Sequence, residues 1–209
     1  MSIWGVIRGF QSHGSTSSIM TFSAEHLLSV ARRYWPAELE VYLHPEISSE
    51  RKRLQERWRQ ELSRMDRWRQ FLDALGGELP GFTMGNVTVP FDACFRCAAY
   101  PKNCDPAPQS EWVIVGCASI LAPVYTVYGV RFARKGKERL SGEIFFDLAS
   151  SGFADASNII CSKIEAVFGF SVLSREVAGT RVPLFVDPQQ PPNTTLFHAL
   201  FTGQPESVP

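Results

Sequence analysis

The stretch EWVIVGCASILAPVYTVYGVRFARKGKERLSGEIFFDL, residues 111–148, decides the fold. Its first eleven residues are nearly all apolar and rich in β-branched side chains, as in a central strand covered on both faces. After Pro123 the chain alternates, with Val124, Thr126, Tyr128, Val130 and Phe132 on one side and Tyr125, Val127 and Arg131 on the other. Residues 140–148 alternate again, setting Leu140, Ile144, Phe146 and Leu148 against Glu143, Phe145 and Asp147. Between these runs the charged, Gly-centred RKGKER, residues 134–139, reads as an exposed hairpin connection. The expectation is an antiparallel meander over about 111–148.

On the N-terminal side, Leu54, Trp58, Leu62, Met65, Trp68, Leu72 and Leu75 recur at intervals of three or four. That spacing lays one apolar stripe along a single amphipathic helix over about 49–75, ended by Gly76 and Gly77. Arg51, Lys52, Arg53, Arg57, Arg59, Arg64, Arg67 and Arg69 share its outer face with acidic residues, so it reads as a solvated face or an arginine-rich docking face. A shorter helix is predicted from Ser23, a suitable N-cap, to about Tyr34, before Pro36. Ile3–Phe10 reads as a short strand, QSHGSTSS (residues 11–18) as a loop carrying His13, and LEVYL, residues 39–43, as a strand.

On the C-terminal side, Phe153 to Phe168 has helical spacing and is followed by Gly169, a residue suited to a left-handed C-terminal position. FSVLS and VPLFV are short extended runs, the second made irregular by Pro183. LFHALF suits a short terminal helix, and the last residues, about 203–209, are expected to fray. The class is α+β, a mainly antiparallel sheet covered by helices, read as a single domain over residues 1–209.

Composition narrows the function classes. Lys plus Arg and Asp plus Glu both number 21, so no global field favours nucleic acid. No apolar window approaches the roughly 20 residues of a membrane helix, and MSIWGVIRGFQSHG lacks the pattern of a secretory leader. Five cysteines in a chain of 209 residues fit reduced thiols better than a disulfide framework, which points to a cytoplasmic protein.

The sharpest chemical question is FDACFRCAAYPKNCDPAP, residues 91–108. Cys94 and Cys97 have the spacing with which two thiolates grip zinc from one tight turn, and Cys104 would supply a third ligand. A fourth is not evident in the sequence. The pair also has the spacing of a redox motif, although the residues after it break too soon to propagate the helix such a motif needs. The third reading is a structured loop with packed, reduced thiols. Cys117 and Cys161, each within an apolar run, read as packing residues.

No nucleophile elbow, paired-histidine zinc motif or kinase signature occurs, so the reading leans away from an enzyme. Tyr125, Arg131, Glu143, Phe145 and Asp147 share a strand face, and aromatics with arginine are the composition of interfaces. Together with Arg59 of the long helix, they form the candidate partner-binding surface. The expectation is a non-catalytic cytoplasmic protein-binding module, such as a toxin-neutralising immunity protein or an adaptor, needing no cofactor. The alternative is a zinc-binding protein or enzyme built on Cys94, Cys97 and Cys104.

Overall fold

Ser23 caps the first helix as its side chain implies, accepting from the amide of His26 and starting α1, Ala24–Ala31. This computed structural model describes residues 22–102, 110–135, 138–148 and 153–209. The expected strand Ile3–Phe10, the loop with His13, and Cys104 lie outside them. Leu27, Val30 and Ala31 bury one face of α1. Just beyond it the Trp35 indole donates to the main-chain oxygen of Ala199, 2.7 Å away, tying this end of the chain to the other.

LEVYL is helical rather than extended, forming the single turn α2, Leu39–Leu43. None of its residues is buried, so no sheet face asks for a period of two there. Leu39 and Leu43 sit four apart, which a helical turn satisfies equally well.

The expected helix over 49–75 is two helices, α3, Ser49–Leu62, and α4, Met65–Glu78. Arg64 leaves the helical region at φ −114°, ψ 15°, and the Ser63 hydroxyl donates to the carbonyl of Gln60. Such hydroxyl-to-carbonyl bonding bends helices. An unbroken helix of that length would run about 40 Å, more than a ten-residue strand spans. The break lets both halves bend over the sheet. Trp58 meets Phe95 edge-on from α3, and Trp68 stacks on the same ring from α4. Leu62, counted on the stripe, is left 49% exposed at the corner.

The meander is present and extends further toward the N-terminus. Strands β1, Phe82–Asn86, β2, Cys94–Pro101, β3, Ser110–Ser119, β4, Val124–Lys135, and β5, Glu138–Phe145, pair antiparallel in sequence order. Cys94 and Cys97 therefore lie on a strand, not in a loop. α5, Ala154–Phe168, ends at Gly169 with φ 71°, the left-handed conformation glycine adopts without strain. A two-residue strand, β6, Ser171–Val172, then pairs parallel with the start of β4. VPLFV forms no strand. Helices α6, Arg175–Ala178, and α7, Leu196–Leu200, follow.

Both faces of the sheet are covered, which is why β3 reads as almost continuously apolar. On one face, Gly116 approaches α5 so closely that a Cβ there would stand 2.9 Å from Ile160. On the other lies the C-terminal segment, with Phe197 edge-on to Tyr128. The terminal residues do not fray: Thr202, Gly203, Pro205 and Val208 are buried. Their backbone oxygens accept from the sheet, Pro205 from the Tyr128 hydroxyl, Gln204 and Ser207 from Arg96, and Val208 from Arg139. Among the described residues, no helix is long and apolar enough to cross a membrane.

Candidate functional site

Cys94 and Cys97 are three residues apart on β2, so alternation sends their side chains to opposite faces. Cys97 packs under Gly116 and α5. Cys94 faces the C-terminal segment, within hydrogen-bonding reach of Cys117 and near Arg96. Spacing that suits a tight turn thus fails on a strand, because one ion cannot be reached from both faces. Among the described residues, no three His, Cys, Asp or Glu side chains converge as a metal site. Burial pushes the Cys94 thiol well above its ordinary value and the Cys97 thiol up to about 12. Thiols held protonated this way make poor nucleophiles and poor redox centres.

The expected partner-binding residues separate. Tyr125 is 1% exposed, and its hydroxyl donates to Glu165 of α5 at 2.5 Å. Burial first, and then this bond to a carboxylate, raise its phenol. Helix α5 therefore covers that half of the face. Arg59 is exposed on α3. Arg131, Glu143 and Phe145 stay together, joined by Trp112, whose place in an apolar run concealed it.

The cross-strand register accounts for that cluster: Trp112 on β3 faces Arg131 on β4, which faces Glu143 on β5. The Arg131 guanidinium lies 5.5 Å from the Trp112 ring centre and 4.9 Å from that of Phe145. It also pairs with Glu143 at 2.5 Å. Arginine stacked between two rings loses little entropy on binding a partner. Two apolar side chains of the same strand and its end are open to solvent, Leu140 at 45% and Phe146 at 38%.

Phe146 marks a structural discontinuity. β5 pairs with β4 from Gly129 onward, whereas β6 pairs with Val124 and Tyr125, so residues 126–128 lie between two pairings. A groove of about 420 Å³ opens there, lined by Phe146, Asp147, Asn158, Cys161, Leu173 and Arg175 among others. A second, more apolar groove of about 280 Å³ lies across Phe146 and Arg175, against Ile144, Ala178, Phe197 and His198. Phe146 and Arg175 are walls of both. Phe145 and Phe146 are adjacent at a strand end, so one ring had to face each side. That was the sequence signal for Phe146.

The Ser157, Ser174 and Thr195 hydroxyls and the His198 imidazole in these grooves are engaged in helix ends. Ser157 donates to the carbonyl of Ala154, and Ser174 caps α6 by accepting from the amide of Val177. His198 Nδ1 accepts from the amide of Thr195 at 3.0 Å, which places the ring proton on Nε2. Burial lowers the His198 pKa, against the raising effect of Glu206. Cys161 is held up by burial beside Tyr125. No protein-family model, curated protein or solved structure matches this chain. Its function must therefore be argued from these surfaces.

Proposed function

We propose that the chain is a non-catalytic protein-binding module that docks a segment of a partner across Phe146, at the β5 end of the sheet. The observation that carries this reading is the Phe146 ring, 38% exposed and standing between two grooves on the sheet face opposite the Trp112–Arg131–Phe145 stack. Aromatic anchors with arginine are the residues that dominate binding energy in protein interfaces. Arg175 makes no side-chain hydrogen bond or ion pair among the described residues and borders both grooves. The more apolar groove is lined by no carboxylate. The complementary partner segment therefore presents an apolar side chain to that groove and an acidic side chain to Arg175.

Two further features support a binding role over catalysis. The buried thiols are held protonated, and the groove hydroxyls named above are committed to helix ends. Closely packed, reduced thiols also suit a cytoplasmic protein. A toxin-neutralising or adaptor role is the specific form we favour, since a preformed surface of this kind works by occupying a partner.

The test is capture and identification of a partner, followed by titration with both proteins purified. Arg175→Glu should weaken the complex, while Arg59→Glu, on a different face, should leave it intact. For a toxin-neutralising role, co-expression should also relieve the partner's toxicity, and Arg175→Glu should abolish that relief. Equal binding by both variants, or turnover of a small molecule in the grooves, would refute the reading.

A further inference from the structure

The corner between α3 and α4 opens a third cleft, of about 200 Å³, between the helices and the end of α5. We propose that it binds a small phosphomonoester carried on an aromatic body. Arg57, Arg64 and Arg67 line it with a single carboxylate, Glu61, so cations exceed anions by two, 3 − 1. The apolar wall is formed by Phe168 and Phe170.

Two of the guanidiniums are fixed by backbone carbonyls. Arg57 Nε donates to the carbonyl of Ile120 at 2.7 Å, and its Nη2 pairs with Glu61 at 2.9 Å. Arg67 donates through Nη2 to the carbonyl of Val167, and its guanidinium stacks 5.1 Å from the Phe168 ring centre. Each keeps further N–H groups for a ligand, in positions the backbone already holds. Tethering a turn and capping α5 account for Arg57 and Arg67. They do not account for Arg64, whose guanidinium makes no hydrogen bond or ion pair among the described residues.

The break in the helix is what brings Arg64 to this cleft. It sits at φ −114°, ψ 15°, between α3 and α4. Guanidinium groups match phosphate oxygens in a planar, bidentate way, and the Phe168 and Phe170 wall offers apolar surface to the body of the ligand.

Isothermal titration of the full chain with phenyl phosphate, inorganic phosphate and phenol tests this. Phenyl phosphate should saturate below about 1 mM, with inorganic phosphate at least about tenfold weaker and phenol not binding. Arg64→Ala should cost at least about tenfold, as expected for losing one charge-assisted hydrogen bond. Arg59→Ala, exposed on α3 outside the cleft, should change nothing and so controls for overall charge. The proposal is overturned if phenyl phosphate does not saturate, if inorganic phosphate binds equally well, or if both variants lose affinity equally. A circular-dichroism melt of Arg64→Ala matching the parent ensures that lost binding is not lost folding.

Discussion

The guanidinium of Arg96 on β2 donates to the main-chain oxygen of Ser207 at 3.0 Å, joining the middle of the sheet to the last residues of the chain. It donates as well to the carbonyls of Gln204 and Val87 and stands 3.9 Å from Asp92, while being only 2% exposed. A buried cation this well partnered is costly to disturb, because removing it leaves Asp92 without its countercharge and three carbonyls without their donor. Burial already lifts the Asp92 carboxyl above its usual range despite Arg96.

Arg96→Ala is therefore expected to lose about 3–5 kcal/mol of stability in urea denaturation. Removing residues 203–209 acts on the same interaction, so the two changes combined should cost well under their sum. Strict additivity would show that the tail and Arg96 stabilise the fold independently.

Reagent access separates the thiols. In the native protein at pH 8, Cys94, Cys97 and Cys117 should resist an aromatic disulfide reagent and react only on unfolding, since all three are buried. Cys161, half-buried on the larger groove, should react before them. Zinc content measured on protein purified without added metal should be well below one equivalent. A full equivalent lost in Cys97→Ser would contradict the opposite-face placement of Cys94 and Cys97.

His198 gives the fold an acid-sensitive point. Its folded pKa is lowered by burial below the usual 6.5, so the neutral ring is favoured in the native state. That contribution is present above about pH 6.5 and is lost as pH falls through the folded pKa, when the unfolded chain takes up the proton first. Protonated Nδ1 also ceases to accept from Thr195, loosening the start of α7. Stability should fall from pH 7 to pH 5 by less in His198→Gln than in the parent. A titration by NMR placing His198 above 6.5 would reverse the sign.

Gly116 tests the contact between sheet and helix. A methyl group there would meet Ile160 at 2.9 Å and the Cys97 sulfur at 3.0 Å. Gly116→Ala should cost about 1–3 kcal/mol by overpacking. Ile160→Val in the same chain should recover part of it. An unchanged denaturation midpoint for Gly116→Ala would mean that α5 moves aside freely.

The elements that followed one period over their whole length were legible in the sequence. The alternation through 124–133 and 140–145, the Ser23 cap and the Gly169 stop all depend on local chemistry, and each appears where the residues place it. Features that depend on what arrives from elsewhere were not legible. The stripe through Leu62 and Met65 keeps helical spacing across the very point where the chain turns. Cys94-Phe-Arg-Cys97 shows no alternation because both faces of β2 are covered. Tyr125 looked like surface since nothing local announces that α5 will cover it. The buried tail is polar and proline-rich, and only Arg96, Tyr128 and Arg139 reveal why it packs.

The central claim is that Phe146 anchors a partner. With the partner identified and both proteins pure, the most direct measurement is the dissociation constant of the complex with the parent chain and with Phe146→Asp. An anchor worth about 2 kcal/mol should weaken binding at least about 30-fold, with hydrogen-exchange protection on β5 lost in parallel and the variant still folded by circular dichroism. An affinity that stays the same in Phe146→Asp, with protection mapping away from β5, would contradict the account.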